Sequence, residues 1–467
     1  MNETSPSVGI IGAGSAGLVA ADYLSSTNNA DLLIEVFDAG KSALERRCPA
    51  SNQFHYCVQC KPCNIMCGVG GAGTYSSGIL NLHPKIGGNL VALTGSEEAA
   101  KEAIEHVEHL FTRYSDGIEL YDPSPNQWDI KRIASAEGIE FIPIKQRLMG
   151  SDHSPEIINK IHTDLVKQGV IFHLETTVID IRLDRTFLTR DGEEFGPFDY
   201  ILVAPGRFGM IWLSELAEKL GIPTKYEPLD IGVRVEVKAE IMKEICDIQR
   251  DPKFHIFTKT HDDFVRTFCT NHQGFVVLER YEDGTVGVNG HSFMEKKSKN
   301  TNFALLARIN LTEPLEDSTR FGKAIANIAT TLGGGKPIVQ RLRDLRNGRR
   351  STLKRLKKSN VTPTLSYEAI TPGDISLAYP GRIIMNLLEG LEQLNEVIPG
   401  VASDSTLLYA PEIKYSAKKI ETDDTLETTV ENLYVAGDGA GLSRGIVAAG
   451  VTGLISARAI ATKLETF

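Results

Sequence analysis

The chain has 467 residues, of which 42% are hydrophobic and 24% charged, and its formal net charge at pH 7 is −10. This composition is typical of a folded protein with two or three domains and excludes a disordered chain, and the negative charge argues against general nucleic-acid binding. Because we find no run of 18 or more apolar residues and no basic or apolar signal region in residues 1–7, no membrane contact is predicted and a cytoplasmic location is expected.

The N-terminal segment predicts a nucleotide-binding strand–helix–strand unit. A short apolar strand at residues 8–11 leads into a G-x-G-x-x-G motif at residues 12–17, and an apolar helix and a second strand ending at an aspartate follow. The first glycine permits a tight turn, the second lets the backbone approach a pyrophosphate, and the third lets the helix pack on the strand. The helix N-terminus favours phosphate, and the aspartate can accept hydrogen bonds from ribose hydroxyls. The predicted cofactor-binding residues here are Gly12, Gly14, Ser15, Ala16, Gly17 and Asp38.

A cluster of cysteines between residues 48 and 67 follows this unit. In a reducing compartment, clustered cysteines favour metal binding or catalysis over structural disulfides. Their C-x2-C-x2-C-x3-C spacing is that of bacterial ferredoxins, in which a remote Cys-Pro supplies a ligand, and it predicts a [4Fe–4S] cluster that relays electrons. The candidate ligands are Cys57, Cys60 and Cys63, with Cys48 or Cys67 as the fourth.

Three other interpretations of these cysteines stay open. A dithiol, Cys60 with Cys63 or Cys63 with Cys67, can exchange with a redox cofactor, and Lys61 can help to keep a nearby thiolate ionised. Four thiolates can instead hold a structural zinc ion, which carries no electrons. The thiols can also be reduced and inert.

The next segments predict further parts of the N-terminal domain. The glycine-rich run at residues 68–73 matches G-x-G-x-x-G, but no strand precedes it, so a loop is predicted rather than a second fingerprint. Helical and turn-rich sequence at residues 82–143 predicts an insertion, and strands are predicted at residues 170–174, 177–181 and 199–203. The candidate cofactor contacts in the loop are Gly71, Ala72, Gly73 and Thr74.

From about residue 230 the pattern predicts a mainly antiparallel sheet. Short alternating or apolar runs with turns between them begin near residues 231, 254, 264, 274 and 285. Polar residues in these strands are candidate substrate contacts, because arginine binds a carboxylate bidentately and histidine transfers protons near neutral pH. Each can equally lie on a solvated strand face or in a structural hydrogen bond. The polar candidates are Arg234, Lys259, Arg266, Asn289 and His291, of which Arg266, His291 and Asn289 are the predicted catalytic residues.

Residues 341–358 hold nine basic residues and one acid, Asp344, in a chain that is acidic as a whole. We call this segment the basic island. Such a run is usually a solvated helix face. The functional alternative is a docking surface for an acidic electron carrier, such as a ferredoxin-like protein, or for an anionic substrate.

Near the C-terminus a strand at residues 432–436 ends in Gly-Asp, and a helix of small residues starts near residue 446. This segment resembles the second flavin motif of the two-dinucleotide-binding-domain flavoproteins, and the strand with Ala-Pro-Gly at residues 199–206 resembles the motif that precedes it. The resemblance implies that FAD is bound, that Asp438 contacts the ribityl chain, that the last helix points at the isoalloxazine, and that the backbone near Val178 reaches the adenine. The residues implied are Val178, Ala204, Gly206, Gly437, Asp438, Gly445 and Ile446.

Longer strings narrow the resemblance. The segments 47–78, 266–271, 288–292, 348–352, 371–374 and 437–441 are similar to those of a family of uncharacterised FAD-dependent dehydrogenases. One departure is visible, because this chain has Ser-Ser-Gly at residues 76–78 where Ser-Asp-Gly is expected, so any role of that aspartate is in doubt here.

The fold class that the resemblance implies is α/β, with a Rossmann-like FAD-binding domain of the GR2 type at residues 1–229 and 395–467. An inserted, mainly antiparallel α+β substrate domain takes residues 230–394. The implied activity is that of an FAD-dependent oxidoreductase, a dehydrogenase or reductase that moves a hydride between flavin N5 and a small, anionic substrate. The alternatives are a flavin-linked dithiol oxidoreductase and a non-catalytic electron-transfer flavoprotein that docks an acidic carrier.

Overall fold

The computed structural model describes residues 5–27, 31–49, 58–114, 118–123, 125–281, 283–293, 295–311 and 317–465. The strands are β1 Ser7–Ile11, β2 Leu33–Phe37, β3 Ile79–Leu82, β4 Leu120–Tyr121, β5 Ile139–Ile142, β6 Lys145–Leu148, β7 Ile171–His173, β8 Val178–Ile181, β9 Phe187–Thr189, β10 Glu194–Phe195, β11 Tyr200–Val203, β12 Thr224–Lys225, β13 Leu229–Lys238, β14 Lys253–Phe257, β15 Phe264–Asn271, β16 Phe275–Arg280, β17 Val286–His291, β18 Asn300–Ile309, β19 Ile338–Arg341, β20 Thr371–Pro372, β21 Leu407–Lys414, β22 Lys419–Ile420 and β23 Leu433–Val435.

Helices connect these strands. The α-helices are α1 Ser15–Ser25, α2 Leu90–Thr94, α3 Glu97–Thr112, α4 Gln127–Ala136, α5 Ser154–Lys167, α6 Met210–Leu220, α7 Ala239–Ile248, α8 Ser318–Leu332, α9 Leu342–Arg346, α10 Leu353–Lys357, α11 Gly381–Val397 and α12 Ile446–Leu464. Short 3-10 turns lie at Gly71–Tyr75, Tyr367–Ala369, Ile375–Leu377 and Asp438–Ala440.

A parallel sheet with strand order β23-β11-β1-β2-β7 carries the N-terminal motif. Its short apolar strands are buried on both faces, as parallel strands are when helices cover them. On one face α1, α3, α5 and α12 form the core, and on the other α6 and the small sheet β10-β9-β8 do so. The fold class is therefore the predicted α/β one, with a Rossmann-like parallel-sheet domain and a second, sheet-based domain.

The second domain is built on a large sheet with the order β20-β19-β21-β13-β18-β15-β14-β5, in which neighbours are antiparallel except for β19 and β20. Side chains alternate between its faces. Val233 and Val235 of β13 pack on one face against the helices α7, α8, α9 and α11. The other face carries Asp230 and Arg234 of the same strand. The hairpin β16-β17 forms a separate sheet. The strands predicted from residue 230 to residue 291 are confirmed.

Two strands of the large sheet come from segments that were expected to lie elsewhere. Strand β5 belongs to the predicted helical insertion at residues 82–143, yet it pairs with β14 at the edge of the large sheet. Strand β21 pairs with both β13 and β19, so the large sheet extends to Lys414, past the expected boundary at residue 395. Both strands pair with segments that are far away in the chain, and the pattern of apolar and polar residues within one segment does not predict such pairings.

The last helix, α12, is long and apolar enough to cross a membrane by length and composition alone, with a mean hydropathy of 1.3. In the structure, 67% of that window is buried. The helix packs against α1, α2 and α3 in the core beside the parallel sheet. Core helices of soluble proteins have the same character, so this helix is weak evidence for a membrane span.

Candidate functional site

The glycine turn between β1 and α1 is closely packed. Gly12 has φ +104°, and a Cβ there would overlap the carbonyl oxygen of Ala204. A Cβ on Gly17 would overlap the carbonyl oxygen of Gly12. Helix α1 follows with Gly14 as its N-cap and no side chain capping it, so its first N–H groups face outward. Such N–H groups are suited to binding phosphate.

Asp38 lies at the end of β2 and joins three parts of the site. Its carboxylate accepts hydrogen bonds from the backbone N–H groups of Ala13 at 2.9 Å, Gly40 at 2.8 Å and Gly68 at 2.7 Å. Oδ2 takes only the first of these, and a carboxylate oxygen accepts two hydrogen bonds. The aspartate thus holds the glycine turn against the cysteine-rich loop and keeps an acceptor site for a ligand hydroxyl.

Three segments that were predicted to bind the cofactor meet at the N-termini of α1 and α12. Ser15 Oγ donates a hydrogen bond of 2.7 Å to the carbonyl oxygen of Ile446. A Cβ on Gly73 would lie 2.9 Å from Ile446 Cγ1, and one on Gly71 would lie 3.1 Å from the Cα of Gly14. These positions therefore depend on glycine for close approach. Ala16 is the second residue of α1, and Ala72 and Thr74 lie in the 3-10 turn beside it.

A buried arginine that the sequence did not indicate shapes this turn. Arg46 is 1% exposed, and its guanidinium stacks on the ring of Tyr75. It donates to the carbonyl oxygens of Asn64, Ile65, Val69 and Gly71 and to Thr74 Oγ1. Only a guanidinium offers so many donors in one plane. Nothing in the sequence indicated that Arg46 is buried, because arginine is mostly exposed in proteins and another arginine, Arg47, follows it.

The Gly-Asp turn before α12 is held by a second arginine. Asp438 Oδ2 accepts a hydrogen bond of 2.6 Å from Arg207 Nε, and the Asp438 carboxylate raises the pKa of Arg207. Gly437 N–H donates to Thr452 Oγ1, and a Cβ on Gly439 would overlap the carbonyl oxygen of Gly206. The predicted ribityl contact is thus joined to the Ala-Pro-Gly segment through Arg207, a residue that the sequence interpretation did not select.

The remaining predicted cofactor positions lie around the same turn. Ala204 N–H donates to the Ile11 carbonyl oxygen at 2.7 Å, at the end of β11. Val178 begins β8 and is nearly buried, two residues after Thr176, whose N–H donates to the Asp38 carbonyl oxygen. Gly445 is the N-cap of α12, with φ +84° and no side-chain cap.

These features fit FAD. Helices α1 and α12 both start without a side-chain cap, and the Ser15–Ile446 hydrogen bond keeps their N-termini together. Ser15, Gly73 and Ile446 also line one small cavity. Ser443, just before α12, is buried, and its Oγ has no hydrogen-bond partner among the described residues. The pyrophosphate suits the first helix N-terminus, and the polar edge of the isoalloxazine suits the second.

Beside the N-terminus of α12, several arginines surround one carboxylate of the large sheet. Asp230 is 1% exposed and accepts from Arg266 Nε at 3.0 Å, Arg266 Nη2 at 2.5 Å and Arg308 Nε at 3.2 Å, and Arg444 Nη1 lies 3.5 Å away. We call Asp230, Arg266, Arg308 and Arg444 the junction cluster. Burial would raise the pKa of Asp230, but Arg266 and Arg308 outweigh it and lower that pKa. The cluster carries three positive charges and one negative charge.

The structure separates the predicted catalytic residues. Arg266 belongs to the junction cluster. Asn289 accepts from Arg234 Nη2 at 3.2 Å and donates to Glu279 Oε1 at 2.7 Å. His291 lies on the same strand, β17, next to the ring of Phe293, and burial lowers its pKa. Asn289 and His291 therefore belong to the hairpin that lies over the polar face of the large sheet.

The cysteine-rich loop shows no metal site in the part of the chain that the structure describes. Cys57 lies outside the described residues, and no group of three His, Cys, Asp or Glu side chains suited to a metal is present among the described ones. The iron–sulfur hypothesis therefore gains no support for Cys48, Cys60, Cys63 and Cys67.

The basic island is partly structural. Asp344 is buried and accepts from Arg341 Nε at 2.9 Å, Arg349 Nε at 2.8 Å and Ser351 Oγ at 2.8 Å. Burial would raise the pKa of Asp344, but these hydrogen bonds lower it to about 2. The other basic residues of the segment that lie exposed are Arg343, Arg346, Arg350, Lys354, Lys357 and Lys358.

Comparison with known proteins extends these findings. Residues 228–415 match the family model "FAD-dependent protein, C-terminal domain-like", and residues 367–467 match "Glucose inhibited division protein A". An uncharacterized protein of Clostridium beijerinckii is 29% identical over 255 residues, which are 50% of this chain and 46% of that protein. The chain thus matches about half the length of this curated relative.

Comparison with solved structures gives three similarities at low sequence identity. Glycine oxidase from Geobacillus kaustophilus is 12% identical, with 98% of this chain and 94% of that chain covered and a TM-score of 0.38. Glycine oxidase from Bacillus cereus ATCC 14579 is 10% identical, with 98% and 95% covered and a TM-score of 0.40. L-proline dehydrogenase from P. horikoshii is 10% identical, with 98% and 94% covered and a TM-score of 0.37.

The first family match begins at the start of β13 and ends just after β21. It therefore covers every strand of the large sheet except β5. The match is to a family of FAD-dependent proteins, which agrees with the glycine turn and the Gly-Asp turn of the cofactor-binding fold.

Proposed function

We propose that the protein is a dehydrogenase or reductase that moves a hydride between N5 of FAD and a small, anionic substrate. The bound flavin supplies the hydride chemistry, and the protein binds, orients and shields the reactants. The substrate lies between the FAD-binding domain, proposed as residues 1–229 with the C-terminal segment, and the substrate domain with its large sheet. The junction cluster carries this proposal.

Two properties of the junction cluster support an anionic substrate. It lies directly before α12, since Arg444 is followed by the N-cap Gly445. It also holds more guanidinium groups than carboxylates, and the Arg308 side chain is 38% exposed. Guanidinium groups bind carboxylates and phosphates through paired, charge-assisted hydrogen bonds. The cluster is thus able to hold an anionic group next to the proposed position of the isoalloxazine.

The hairpin residues take supporting roles in this proposal. Burial lowers the pKa of His291, so its imidazole is neutral near pH 7 and able to accept a proton at a ring nitrogen. Asn289 connects Arg234 with Glu279 and so orients the hairpin over the sheet. The Arg207–Asp438 pair of the cofactor fold lies close enough to the hairpin for the charge of Glu279 to raise the pKa of Arg207, after the larger effect of Asp438.

The experiment that tests the function follows the flavin absorbance of FAD-loaded protein mixed anaerobically with small carboxylates. We expect one of them to reduce the flavin, and we expect Arg266→Gln to slow that reduction about 10- to 100-fold, since a charge-assisted hydrogen bond contributes about 1.5–3 kcal/mol. Arg349→Gln, in which an arginine on Asp344 is changed, is the matched control. Equal rates in both variants would contradict the role of the junction cluster.

One contact favours a second candidate, the flavin-linked dithiol oxidoreductase. Gln59 Nε2 donates to the carbonyl oxygen of Tyr281 at 3.2 Å, which places the cysteine-rich loop against the hairpin. Tyr281 in turn donates to Glu279, so this loop lies next to the proposed substrate region. Cys60 and Cys63 are the proposed pair. Thiol titration with metal analysis tests it: two thiols that oxidise with the flavin support a dithiol, and four irons per chain would restore the iron–sulfur relay.

The partner and the location complete the proposal. The exposed side of the basic island suits an acidic, ferredoxin-like electron carrier, since complementary charge speeds encounter. Salt-sensitive binding of such a carrier tests this part. A cytoplasmic location is supported by the described cysteines Cys60, Cys63, Cys67, Cys246 and Cys269, none of which forms a disulfide.

A further inference from the structure

The junction cluster has two positive charges that its own carboxylate does not balance. Asp230 faces the guanidinium groups of Arg266, Arg308 and Arg444. Nearby, Arg207 is paired with Asp438, so this pair adds no net charge. The excess of two positive charges therefore lies in the junction cluster itself.

The next groups along the same face of the sheet add nothing to this imbalance. Lys414 lies 3.1 Å and Arg234 3.5 Å from Glu412, and Glu279 provides the second negative charge beside Asn289 and Lys414. The two positive charges of Lys414 and Arg234 are thus balanced by two carboxylates, those of Glu412 and Glu279. Among the described side chains, this group of four next to the junction cluster therefore carries no net charge.

The cluster also keeps hydrogen-bond donors that are not used. In the hydrogen bonds of the described residues, Arg308 donates to Asp230 only through Nε, and its guanidinium stacks on Phe264. A guanidinium has five N–H donors. Arg444 is 27% and Arg266 15% exposed, so their charges are only partly screened by water. Burial, and to a smaller extent the nearby Arg266 and Arg207, lowers the pKa of Arg444 against the opposing effect of Asp230.

A second observation at this place indicates a ligand. Ser443 precedes Arg444 in the chain, is 4% exposed, and has an Oγ without a hydrogen-bond partner in the described structure. Buried hydroxyl groups of native proteins are nearly always hydrogen-bonded. Since Ser443 is the chain neighbour of Arg444, an unpartnered hydroxyl here is expected where a polar ligand, the flavin or the substrate, binds.

From this charge count and these donors, which rest on the proposed function for the position of the flavin, we propose that the substrate is a small dianion that binds at the junction cluster. The two charges come from two carboxylates or from one phosphate monoester, since guanidinium groups bind both. One anionic group of the ligand contacts Arg308 and Arg266, and the remaining charge lies toward Arg444. A monoanion leaves one positive charge of the cluster unbalanced.

Calorimetric titration of the FAD-loaded protein at low ionic strength tests this proposal. Malonate and glycerol phosphate serve as dianions, and acetate as the matched monoanion. We expect a dianion to bind about 10- to 100-fold more tightly than acetate, which is the effect of one further charge-assisted hydrogen bond. Tighter binding of malonate assigns two carboxylates, and tighter binding of glycerol phosphate assigns a phosphate group. Equal binding of acetate and both dianions, or binding of none, overturns the proposal.

A pair of variants locates the effect. Arg308→Gln removes one charge from the junction cluster, and we expect it to abolish the preference for the dianion. Arg349→Gln is the control, because Arg349 is similarly exposed, at 43%, and also donates through Nε to a carboxylate that several arginines share. Loss of the preference in the control, or its retention in Arg308→Gln, overturns the proposal. Since binding is measured without turnover, a failure here is distinct from a failure of flavin reduction.

Discussion

Ser15 Oγ donates a hydrogen bond of 2.7 Å to the carbonyl oxygen of Ile446, although 431 positions separate the two residues in the chain. The bond joins the first residue of α1 to the first residue of α12. The two helix N-termini that are suited to the two ends of FAD are therefore held in a fixed relation by the protein itself.

This hydrogen bond predicts the effect of Ser15→Ala. The free energy of unfolding is expected to fall by about 1 kcal/mol, the usual contribution of such a bond, and FAD is expected to dissociate more readily because α12 is no longer tied to α1. Urea denaturation and the fluorescence of released flavin measure the two effects. Ser25→Ala, at the other end of α1, is the control, and an equal loss of FAD in both variants would argue against the link.

The glycine turn predicts a difference between two glycines with positive φ. An alanine at Gly12 would overlap the Ala204 carbonyl oxygen as well as strain the backbone, whereas a Cβ at Gly95 meets no atom within 4 Å. Gly95→Ala should therefore lower the free energy of unfolding by about 1–2 kcal/mol from backbone strain alone. Gly12→Ala should lower it by about 3 kcal/mol or more, because overlap adds to the strain. Chemical denaturation measures the free energy of unfolding of both variants. A similar decrease in the two would mean that the turn at Gly12 is not closely packed.

Arg46 predicts that the cysteine-rich loop depends on one side chain. Arg46→Met leaves several carbonyl oxygens without a donor, and each such group costs about 1–3 kcal/mol, so the variant is expected to unfold far more readily. The neighbouring Arg47 is exposed, and Arg47→Met is the matched control. Limited proteolysis near residue 64 provides a local measurement. Equal protection of the loop from proteolysis in both variants would show that Arg46 does not hold the loop in place.

Asp344 predicts part of the acid sensitivity. Its pKa is lowered from 3.8 to about 2 by its arginine and serine donors, so its contribution to stability is present above pH 3.8 and is lost as the pH falls through about 2. The free energy of unfolding of the parent protein should therefore fall over this range. In Asp344→Asn the same range should show a smaller fall. Chemical denaturation at several pH values measures the free energy of unfolding of both proteins. An equal pH dependence of the parent protein and Asp344→Asn would show that Asp344 is not paired as described.

Much of the cofactor fold was predictable because its signals are local. The glycine turn, the Gly-Asp turn and the alternating strands from residue 231 onward are each written in a few consecutive residues. In contrast, Arg46 and Arg207 find their partners through distant segments, and no nearby residue marks them as buried or paired. Strands β5 and β21 joined the large sheet through pairings across about 110 and 175 residues. The cysteine spacing resembled a ferredoxin pattern, but spacing alone does not determine where the thiols point.

The most direct test of the account is titration of the purified protein with FAD, followed by the visible spectrum and the flavin content per chain. We expect one FAD per chain and weaker binding when Asp38 is replaced by alanine, with Asp344→Ala as the control. A folded protein that remains colourless and takes up no FAD at any concentration tested would contradict it.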